Sequence, residues 1–180
     1  MHIKPLLYAL TGARISAAAI ALGQSFSPEQ NAQAQLSSVK GGSNMLTEAG
    51  GDNALVPARG VQARTLSGHQ RQLLMAIVQS YADQFRKELS SQRIEEVRAH
   101  LDTTNFSWIG KDAVDGPIYY RIQSPVVLIE FDQQRAVSLA GDPNIPLKNH
   151  IHTIVRTPNG NDYGANLLQQ HLQEHQGHRP

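Results

Sequence analysis

The sequence predicts an α+β fold. It expects an antiparallel sheet of about four strands in the C-terminal half, packed with helices from the N-terminal half and a C-terminal helix. Three observations predict it. Apolar residues recur at helical spacing up to residue 101. After Asp102 the pattern changes to short runs rich in β-branched and aromatic residues, bounded by Gly, Pro and Asp. The helices come first and the strands later, which is the order of an α+β layout rather than a βαβ alternation.

The elements follow in order. Residues 13–22 read as an amphipathic helix. The run "MHIKPLLYALTGARISAAAIALGQSFSPEQNAQAQ" also has some marks of a signal peptide, but Arg14 lies inside the apolar stretch and Pro5 lies early in it. Ser27 and Pro28 mark a second helix start, with Ser at the N-cap and Pro at the first helical position, running to Leu36. Residues 37–61 are rich in Gly, Ser, Asn and Pro without apolar period, so they read as a long loop or linker. Ser67 and Gln70 form a capping box before a helix with Leu73, Leu74, Ile77, Val78, Tyr81 and Phe85 on one stripe. Ile94, Val97 and Leu101 mark a further helix capped at Ser90 or Ser91. "NFSWIG", "PIYYRIQ" and "PVVLIEFD" read as three strands, the last two joined by a hairpin at Gln123–Pro125. "NHIHTIVR" is a fourth strand, and Asp162 caps a last helix with Leu167, Leu168 and Leu172. The chain thus divides into a helical segment 1–36, a loop 37–61 and an α+β domain 62–180.

Composition bounds the function. The formal net charge is +1 with scattered basic residues, which argues against a nucleic-acid partner. There is no cysteine, so any metal must be held by His, Asp or Glu. No stretch is long and apolar enough for a transmembrane span. The compartment reads equally as cytoplasmic or periplasmic.

Five of the 8 histidines follow residue 149. On a strand, His150 and His152 share a face, and so do Glu130 and Asp132 on theirs. If the two strands pair, two imidazoles and a carboxylate come together in a set suited to zinc, copper or iron. His150, His152 and Glu130 are therefore the candidate metal ligands, set against the plainer reading of solvent-facing or hydrogen-bonding histidines. His171, His175 and His178 lie on one helical stripe but lack the HExxH pattern, and read as exposed tail residues. Tyr120 reads as core with Ile118 and Ile122; Trp108 and Phe106 likewise. Tyr119 and Arg121 share the other face, where Arg121 either clamps a small anion or snorkels to solvent. Arg156 lies on the histidine face and could assist an anionic substrate or pair with Glu130. Glu130, Arg121 and Arg156 are the candidate catalytic residues. P-loop, dinucleotide and nucleophile-elbow motifs are absent.

"FSWIG", "PIYYRIQSPVVLIEFD", "NHIHTIVRTPNGNDYG" and "LLQQHLQEH", in that order, resemble the bacterial family catalogued as domain of unknown function 3500. The resemblance is dense from Phe106 to His175. It continues more weakly back through "PARGVQARTLSGHQRQLL" and "SFSPEQNAQAQLS". It departs in two respects. Members are usually about twice as long and carry an upstream "W.l.GHH" segment, which implies a truncated copy. Members also often have Asn where this chain has Gln133. The resemblance implies a fold and a functional face around His150, His152, Arg121, Glu130 and Arg156, and no reaction.

Three functions fit: a metal-dependent hydrolytic or oxidative small-molecule site, a non-metal module binding an anionic small molecule, and an incomplete copy without activity.

Overall fold

The computed structural model describes residues 15–48, 54–111, 116–135 and 145–158. The expected helix from Asp162 and the His171, His175, His178 stripe lie outside the described residues. Described helix begins at residue 15 and runs to 24 (α1). Then follow α2 (Pro28–Ala34), β1 (Gln35–Ser37), β2 (Val61–Gln62), α3 (Gly68–Ala82), α4 (Lys87–Ala99), β3 (Asn105–Ile109), β4 (Tyr119–Gln123), β5 (Leu128–Arg135) and β6 (Pro146–Arg156).

Capping fixes the two helix starts that the sequence marked. Ser27 and Ser67 each accept from the backbone N–H three residues on, and Gln30 and Gln70 reach back to the cap N–H. These two glutamines also hydrogen-bond each other, at 3.1 and 2.8 Å, and so join the ends of α2 and α3. α4 starts earlier than expected. Arg86 is its N-cap without a side-chain bond, and Ser90 is a buried residue inside the helix. Phe85 falls beyond the end of α3 and is exposed.

The sheet has six strands rather than about four. Its order is β1-β3-β4-β5-β6, with β2 also pairing with β3. Of the two additional strands, β1 takes Gln35 and Leu36 from the expected helix, which ends at Ala34, with Ser37 from the loop, and β2 lies at the loop's far end; β1 runs parallel to β3 and β2 antiparallel. Periodicity could not reveal segments of three and two residues. β4 and β5 form the expected antiparallel hairpin, and β5 pairs antiparallel with β6. Both strands outrun the sequence reading, β5 to Arg135 and β6 back to Pro146.

Register divides the sheet into two faces. Phe106, Trp108, Tyr120, Ile122, Ile129 and Phe131 share one face and join a cluster with Ile15, Leu22, Leu74, Ile77, Tyr81, Ile94 and Val97 from the helices. Tyr120 stacks on Phe131 at 4.9 Å between ring centres. Its hydroxyl meets that of Tyr81 at 2.8 Å, which satisfies both buried groups. Among the described residues no helix is long and apolar enough to cross a membrane.

Candidate functional site

The other face carries Ser107, Arg121, Tyr119, Glu130, Asp132, His152 and Arg156, and it is covered by the long loop. The reading of Arg121 as a snorkelling surface residue is overturned: it is 2% exposed, and Glu130 and Asp132 are 0% exposed. Charges survive such burial only with partners. The loop supplies most of them.

Glu130 Oε1 accepts from the Leu46 N–H (2.9 Å) and the Tyr119 hydroxyl (2.6 Å). Its Oε2 accepts from the Thr47 N–H (3.0 Å) and the Thr47 hydroxyl (2.5 Å). These four bonds fill the acceptor positions of a carboxylate. Glu130 thus anchors the loop, and service as a ligand or a base would require these bonds to break. Arg156 Nη1 donates to the Thr47 carbonyl at 2.9 Å, so Thr47 is held from both sides. Burial, together with the charge of Glu130 and its hydrogen bond, pushes the Tyr119 phenol well above its usual range.

Asp132 holds the loop one turn earlier. Its Oδ2 accepts from the Asn44 N–H (2.8 Å) and Gln134 Nε2 (3.2 Å). Lys40 Nζ lies 2.7 Å from Oδ1; the contact is one of charge, since no donor is aligned on that oxygen. Gly60, at φ +104°, brings the loop down onto β3: a Cβ there would meet the Phe106 carbonyl oxygen at 2.1 Å.

His150 and His152 do come together. Their Nε2 atoms are 3.0 Å apart and their rings nearly perpendicular, at 83°. His150 Nδ1 bonds the Arg135 carbonyl. A carbonyl only accepts, so Nδ1 carries the proton and Nε2 presents a lone pair. The expected carboxylate is elsewhere. Glu130 lies across from Ile154, and the acid across from His152 is Asp132, already engaged by Asn44, Gln134 and Lys40. Among the described residues no group of three or more His, Cys, Asp or Glu side chains could hold a metal ion. An open depression beside His152 is lined by Met45, Glu48, Thr153 and Ile154. Glu48 lies in the long loop, where spacing gave no reason to select it.

Gln133 points to the opposite face from the histidines. It accepts from the Ile118 N–H (2.7 Å) and donates to the Lys148 carbonyl (2.9 Å), bridging β4 and β6.

Searches of curated proteins and of solved structures gave no match. The family described as "Protein of unknown function (DUF3500)" matches residues 11–165. That span takes in the helices, the covering loop and both faces of the sheet, and the chain belongs to this family.

Proposed function

We propose that the chain binds a divalent metal ion, of the zinc, copper or iron kind, through His150 and His152. One observation supports the reading: the two Nε2 atoms are 3.0 Å apart while the far nitrogen of His150 is tied to a backbone carbonyl. Two nitrogens each ~2.0–2.1 Å from one ion lie about 2.9–3.4 Å apart, between right-angle and tetrahedral geometry. A carbonyl on the remote nitrogen is how proteins fix the tautomer of a metal-binding imidazole. Without metal, the same pair makes one hydrogen bond, with His152 Nε2 donating. Metal uptake requires the His152 proton to sit on Nδ1 instead of Nε2, a change of tautomer that releases no proton.

Two protein ligands leave positions for water, for Glu48 at the rim of the depression, or for a small-molecule ligand. A metal-bound water would be activated for hydrolysis. Glu130 and Arg156 serve this reading indirectly, by fixing the loop that carries Glu48.

The test is metal titration of untagged protein with zinc and with copper. One equivalent should bind, and His150→Ala and His152→Ala should each abolish it. Replacing His171, His175 and His178 together should leave it intact. No stoichiometric uptake, or uptake that follows only the tail histidines, refutes the reading.

A further inference from the structure

Arg121 is buried, and among the described residues its guanidinium makes no ion pair: no carboxylate oxygen lies within 4.0 Å of it. Glu130 is its direct partner in register, but the acceptor positions of Glu130 are filled from the loop and from Tyr119. Of its five N–H donors, Arg121 uses Nη2 on the Pro57 carbonyl at 3.1 Å. Its Nε is buried with no acceptor.

The orphaned Nε has orphaned neighbours. Ser107 pairs directly with Arg121 across β3 and β4, and its hydroxyl is buried and unpartnered. Gln123 is two residues along β4 on the same face; its Oε1 is buried and unpartnered while its amide nitrogen holds the Val56 carbonyl. A cationic donor, a hydroxyl and an acceptor, all buried, therefore lie on one face of β3 and β4 without a hydrogen-bond partner. Native proteins rarely leave such groups unpaired.

We propose that this cluster is a second binding site, separate from the histidine pair, and that it takes a small hydroxy-carboxylate. A planar carboxylate matches the guanidinium edge. The Ser107 hydroxyl donates to the same carboxylate. The lone acceptor, Gln123 Oε1, calls for a hydroxyl on the ligand. Access would displace the loop at Pro57, whose carbonyl holds Arg121 and where residues 57–59 are exposed.

The experiment is a titration of the full chain with glycolate, with acetate and inorganic phosphate as comparators. It is followed by calorimetry and by the Nε–H resonance of Arg121, assigned by its loss in Arg121→Lys. Glycolate should move that resonance and bind about tenfold or more tighter than acetate, which lacks the hydroxyl. Arg121→Lys should abolish binding. Ser107→Ala should fold normally and weaken glycolate severalfold, which keeps the test decisive if the Arg121 variant misfolds. An Nε–H resonance that none of the three probes moves at tens of millimolar overturns the proposal. Equal affinity for glycolate and acetate overturns the assignment of the hydroxyl. Phosphate binding tighter than glycolate overturns the ligand class.

Discussion

Across β3, β4 and β5 the two faces of one sheet are both buried, by opposite means. On one, Phe106, Tyr120, Ile122, Ile129 and Phe131 pack against helices, and area removed from water is the driving force. On the other, Glu130, Asp132 and Arg121 are as deeply enclosed, but under a loop whose backbone amides serve as their hydrogen-bond partners. The apolar face tolerates any cover of suitable shape. The polar face tolerates only a cover that brings donors to particular oxygens. Its stability is therefore directional, and one broken contact leaves a buried charge unpaired.

That contrast can be broken most severely at the apolar face. Phe131→Ala should cost about 3–5 kcal/mol, the usual range for a fully buried ring. Chemical denaturation should show one cooperative loss, with no region released before the rest. Glu130→Gln keeps the shape and removes the charge, and an amide nitrogen then faces a donor. The expected cost is about 2–3 kcal/mol, as for hydrogen bonds to a charged group. Here the loss should be local: amide exchange at Asn44, Leu46 and Thr47 should accelerate while β3 and β4 stay protected. Uniform acceleration would mean that the loop and the sheet are one unit and that the contrast is false.

The smallest effect is alkaline. Tyr119 on the polar face and Tyr81 and Tyr120 on the apolar side are held above the usual phenol range, chiefly by burial. The folded state keeps these protons where the unfolded chain releases them, so stability is complete below about pH 10 and is lost as pH rises further. The loss begins as a few tenths of a kcal/mol per phenol and grows by at most about 1.4 kcal/mol per pH unit. Tyrosinate absorbance should rise together with loss of circular dichroism. Tyr119→Phe should remove only the polar-face share of the slope. Buried phenols ionising before unfolding would contradict the enclosure described.

Legibility differed between the faces. The apolar stripe of α3, the Ser27 and Ser67 caps, the hairpin and the core roles of Phe106, Trp108 and Tyr120 were readable, because each follows from spacing within a few residues. The pairing of β5 with β6 entered only as a condition; the structure supplies it, and with it the shared face of Glu130, Asp132, His150 and His152. The partner of Glu130 was not readable. Spacing on two strands suggested a metal shared with the histidines, or Arg156, while the structure gives Thr47, Leu46 and Tyr119. Thr47 lies 83 residues away in a segment without period, and no local pattern marks it.

The sequence alone determined the types of the longer elements, the alternation that puts His150 and His152 side by side, and the family. Those depend on local geometry, which repeats every two or 3.6 residues. Only the tertiary structure decided that the loop closes over Glu130, Asp132 and Arg121, and which lone pairs that closure leaves free. The reason is physical: hydrogen bonding is directional and short in range, so partners distant in sequence are chosen only when the folded chain brings their atoms within reach.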